Sequence, residues 1–81
     1  MIPYDSITLM QFRIEVWEIS AYDCSWYVYR NYDDALEKSL NAMQIDPEIH
    51  FVELHFIHNG LITQRIQFTK EELQEEIANR V

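Results

Sequence analysis

Asn59 and Gly60 constrain this chain more than any other pair of residues. Asn-Gly between two apolar runs is the strongest short hairpin signal, because a type I′ turn needs two successive residues that tolerate positive φ. The run before it, His50 to His58, places Val52, Leu54 and Phe56 on one face and Phe51, Glu53, His55 and Ile57 on the other. In the run after it, Leu61 to Phe68, the residues Ile62, Ile66 and Phe68 share a face while Thr63, Arg65 and Gln67 alternate with them. The spacing predicts a hairpin with one buried and one mixed face.

A helix is expected directly after the hairpin. Thr69 and Glu72 have the spacing of a capping box, and Phe68 and Leu73 that of a hydrophobic staple. Leu73, Ile77 and Val81 would form its inner stripe to the C-terminus, with Glu71, Glu72, Glu75 and Glu76 outside. The first half reads in the same order. Phe12, Ile14 and Val16 alternate with Arg13, Glu15 and Trp17, which predicts a strand from about Thr8 to Ile19 facing the core through Phe12. A polar turn follows over Ser20 to Cys24, and Trp26 to Arg30 reads as a second, aromatic strand. Asn31 is a candidate N-cap with Asp34 at N3, and Leu36, Leu40 and Met43 continue at helical spacing beside Ala35. Pro47 ends that helix by pushing Asp46 out of the α region.

The expected fold is therefore α+β in ββαββα order, a four-stranded antiparallel sheet with both helices on one face. With 81 residues, the chain is expected to form a single domain over 1–81. The helical segments superpose at an offset of 37 residues, Leu36 on Leu73 and Leu40 on Ile77, as a duplication would produce and as any two amphipathic helices can.

Catalytic chemistry finds little support. His55 and His58 fall on opposite faces of one strand, Glu53 and His55 alone make no structural zinc site, and neither C-x-x-C nor H-E-x-x-H occurs. The three histidines read as exposed polar groups of a sheet. Cys24 lies beside Asp23, which disfavours a thiolate, and the serines lack a nucleophile-elbow context. Gly60 is the only glycine, so a phosphate-cradling loop is absent. A small enzyme would need a pocket joining His55, Glu53, Asp23 and Cys24. No catalytic residue, metal or cofactor is expected.

Charge and aromatic content say more. Fourteen acidic residues oppose six basic ones, for a net charge of −8. That balance argues against direct nucleic-acid binding and against docking on anionic membrane. The N-terminal MIPYDSITLM has no basic region before its apolar residues and Cys24 is the only cysteine, so a cytoplasmic setting is expected. Asp33, Asp34 and Glu37 on the first helix, with Glu71, Glu72, Glu75 and Glu76 on the second, would form a compact negative surface on two nearly parallel helices. On the other side of the sheet, Trp17, Tyr27, Tyr29, Phe51 and Ile57 would form an aromatic face, extended by Leu61.

These features point to a non-catalytic acidic protein that engages a basic protein partner, most concretely as an inhibitor occupying a nucleic-acid-binding groove. In size, charge and simplicity the chain resembles small acidic phage-type inhibitors and anti-CRISPR proteins; no motif ties it to one family. An antitoxin-like subunit that neutralises a basic toxin is the nearest alternative. A self-assembling structural component would use strand edges or the aromatic face instead, and a homodimer through that face is compatible with the inhibitor reading.

Overall fold

A computed structural model describes residues 4–14, 19–20 and 26–80. Apart from one two-residue strand, the chain is a single α+β domain in the expected ββαββα order. Its elements are β1 (Ser6–Ile14), β2 (Ile19–Ser20), β3 (Trp26–Tyr29), α1 (Tyr32–Ile45), β4 (Ile49–His58), β5 (Leu61–Phe68) and α2 (Lys70–Asn79). All pairings are antiparallel. Across the sheet the order is β3–β1–β4–β5, with two-residue β2 beside β3 on the same edge of β1.

This order gives the two ββα units equivalent places. The first strand of each, β1 and β4, lies in the centre and the second, β3 and β5, lies at an edge. Leu9 and Leu54 stand directly opposite one another, flanked by Ile7 opposite Phe56 and Gln11 opposite Val52. The repeated element order is thus matched by a two-fold arrangement in space.

The second half forms where the local signals lie. Asn59 and Gly60 adopt φ of 53° and 78°, the left-handed pair that a type I′ turn demands. Asp5 holds the turn from the neighbouring strand: its carboxylate accepts from the Asn59 amide at 2.9 Å, and its own amide donates to the Ile57 carbonyl. At α2 both arms of the capping box are made, since the Glu72 amide donates to Thr69 Oγ1 and the Thr69 amide donates to Glu72 Oε1. At α1 the Asp34 amide donates to Asn31 Oδ1 at 2.8 Å. Helix α2 stops at Asn79 with Arg80 as its C-cap, and Val81 lies outside the described residues.

The first half departs from expectation in three ways. The chain does not run as one strand from Thr8 to Ile19. It reverses after Ile14, so that Ile14 pairs with Ile19 and Arg13 with Ser20. The phase of β1 is also opposite to the expected one: Ile7, Leu9 and Gln11 are buried under the helices, and Phe12 lies on the open face stacked on Phe51 at 4.6 Å. Finally, Tyr27 and Tyr29 lie directly opposite Leu9 and Ile7, which puts them on the helix side rather than outside.

A further shift comes from β5. A bulge places Phe56 opposite Gln64 and Ile57 opposite Ile62, leaving Thr63 as the extra residue with its hydroxyl on the Phe56 carbonyl at 3.2 Å. Ile62 therefore joins Ile57 on the open face instead of Ile66 and Phe68, while Leu61 pairs with His58. The core lies between the sheet and both helices, with Ile7, Leu9, Leu36, Val52, Leu54 and Leu73 sealed from solvent.

Candidate functional site

The structure redistributes the residues of both expected surfaces. On the helix side, Arg80 at the end of α2 reaches Asp33 at the start of α1, with Nε and a terminal nitrogen 2.6 and 2.5 Å from Oδ1. Tyr32, in the same first turn, donates its hydroxyl to Glu76 Oε1 at 3.3 Å. Since the start of one helix meets the end of the other, α1 and α2 run antiparallel. The expected parallel arrangement is corrected: the acidic first turns, Asp33/Asp34 and Glu71/Glu72, lie at opposite ends of the helical layer.

Those contacts sort the seven acids. Asp33 is paired with Arg80, Asp34 accepts from the Asn31 side chain, Glu72 serves the capping box, and Glu76 takes the Tyr32 hydroxyl. Among the described residues, Glu37, Glu71 and Glu75 are exposed and make no such contact. Glu37 lies on the rim of a cleft of about 390 Å³ between the helices, whose floor is Leu36, Leu40 and Ile77. The division is testable by stability. Glu72→Ala should cost about 1 kcal/mol through the lost cap, whereas Glu75→Gln should change urea-unfolding stability by no more than about 0.5 kcal/mol.

Tyr32 fastens the two helices to the sheet. Its ring lies 5.6 Å from that of Phe56, the Arg80 guanidinium sits 4.7 Å from its centroid, and its amide donates to the Tyr4 hydroxyl. Burial first, then the Glu76 charge and the hydrogen bond to it, push the Tyr32 phenol from 10.0 up to about 12. A raised phenol stabilises the fold fully below the unfolded value and loses that contribution as pH climbs through the folded one. Stability should accordingly fall between pH 10.0 and about 12, and Tyr32→Phe should make that step smaller in a pH series of urea midpoints. Tyr29, half-buried against the core, is also held above the usual phenol range, mainly by burial.

On the opposite side, the sheet face carries Phe51 and Ile57 as expected, together with Met10, Phe12, Val28 and Ile62. Trp17 lies outside the described residues. His55 is not the exposed polar group its strand position implied: it is 8% exposed, flanked by Thr8 and Arg65, with Nε2 2.5 Å from Glu53 Oε1. Among the described residues no group of three His, Cys, Asp or Glu side chains could hold a metal ion. Glu53 and His55 sit on the face away from both helices and their cleft, and Asp23 and Cys24 lie outside the described residues. Among the described residues no helix is long and apolar enough to cross a membrane.

Comparison with protein-family models, with curated proteins and with solved structures finds no match to this chain.

Proposed function

We propose that the chain is a non-catalytic binding protein whose acidic helical layer engages a basic surface on a partner protein, acting as an inhibitor of a groove that otherwise holds nucleic acid. The observation that carries this reading is the side-by-side packing of α1 and α2 on one face. It collects seven carboxylates in a single layer against Lys38, Lys70 and Arg80, leaving that layer four charges negative. Such a layer attracts a basic groove over a Debye length and repels nucleic acid itself. Within it, Glu37, Glu71 and Glu75 are the carboxylates available to a partner.

The test is to capture the partner from the native host, purify it, and titrate it with the wild-type chain and the combined Glu37→Gln, Glu71→Gln, Glu75→Gln variant. Affinity should drop at least about tenfold in the variant and fall further on going from about 0.1 to 0.5 M salt. Nucleic acid should compete with the wild-type chain for the partner. Affinity indifferent to both salt and the three substitutions would rule the reading out.

A further inference from the structure

The open face of the sheet has a charge balance unlike that of the rest of the chain. The whole protein carries −8, yet the charged residues described on this face are one Glu53 and one Arg65, with His55 between them. Around them lie six apolar side chains: Met10, Phe12, Val28, Phe51, Ile57 and Ile62. Val28 and Ile62 are 67% and 46% exposed, and both helices are on the other side. A face with cancelling charges and an apolar majority has nothing to recognise a basic partner by. On this face two copies of so acidic a chain would meet with only Glu53 and Arg65 as described charges on each side.

The dimensions agree. The domain measures 37 × 29 × 15 Å, so the rectangle enclosing its broad side is on the order of 1,000 Å², wide enough to hold the roughly 800 Å² per partner of a standard stable interface. At 81 residues a two-layer domain buries a modest share of its surface, and a second sheet about 10 Å away would give the open side a core of its own. We infer that this face joins two copies of the chain, sheet against sheet, leaving the acidic helical layers on opposite outer sides of the dimer. The inference is independent of the basic-partner reading, and salt separates the two: screening weakens binding to a basic groove, while it relieves repulsion between two copies carrying −8 each.

Light scattering or sedimentation equilibrium on the purified chain tests it. The mass should rise from 9.8 kDa toward twice that value with concentration, the dimer dominating by about 100 μM. Raising salt should leave the midpoint unchanged or move it to lower concentration. Val28→Lys and Ile62→Lys, at exposed positions that leave the core intact, should each raise the midpoint at least tenfold, whereas Gln74→Lys on the exposed side of α2 should not. A mass of 9.8 kDa at every concentration, or a dimer indifferent to both open-face substitutions with circular dichroism unchanged, would overturn the inference.

Discussion

Leu54→Ala is expected to cost about 3–4 kcal/mol, within the range for truncating a fully buried leucine whose surroundings cannot close over the gap. Leu54 is 0% exposed and lies opposite Leu9 on one side and Ile66 on the other, at the centre of the sheet. The backbone ladders of β1 and β5 hold those neighbours in place, so the cavity stays largely open. A domain of this size has on the order of 5–10 kcal/mol to lose, and the variant should show a urea midpoint about halved or lower. Ile62→Ala, at 46% exposure on the same hairpin, should move monomer stability by no more than about 0.5 kcal/mol. Nearly equal midpoints for the two variants would mean that the Leu9–Leu54 pair is not the centre of the core.

The contrast between the two halves of the chain explains what could be read from its residues. Asn59-Gly60 and the Thr69/Glu72 box act within four residues, so the β4–β5 hairpin and the start of α2 were legible without knowledge of the rest. In β1 two apolar sets run out of phase: Ile7 and Leu9 at odd positions, Phe12 and Ile14 at even ones. Periodicity cannot choose between them. The choice is made by pairing with Leu54 and Phe56, more than forty residues away, and it moves Phe12 to the open face. The same error of phase carried Tyr27 and Tyr29 to the wrong side. The bulge at Thr63 has no glycine or proline to announce it, so the shift of Ile62 was invisible as well. On the helical layer the seven acids could be counted in advance, but their availability could not. Arg80 meets Asp33 across 47 positions of sequence and Tyr32 meets Glu76 across 44. These long-range contacts separate Glu37, Glu71 and Glu75 from carboxylates already engaged.

That separation makes α2 the element on which both stability and the proposed binding would turn, and Leu73→Ala should expose it. Leu73 is the only residue of α2 that is buried outright, at 0% exposure, with Ile77 packed partly against the same core. A ten-residue helix has little stability of its own in water, and the glutamates at i and i+4, Glu71/Glu75 and Glu72/Glu76, disfavour it further by a few tenths of a kcal/mol each. What holds α2 is its apolar face together with the contacts of Arg80 and Glu76 to α1. Removing the Leu73 side chain should cost about 3 kcal/mol, comparable to everything that docks the helix. The expected outcome is therefore local rather than global. Amide exchange in Lys70–Asn79 should approach that of a free peptide while the β1–β4 ladder keeps its protection. On the proposed reading, affinity for the basic partner should fall at least about tenfold although every carboxylate remains in the chain, because a frayed α2 must be reordered on binding. If exchange quickened equally in β4 and α2, the helix would be an inseparable part of the core.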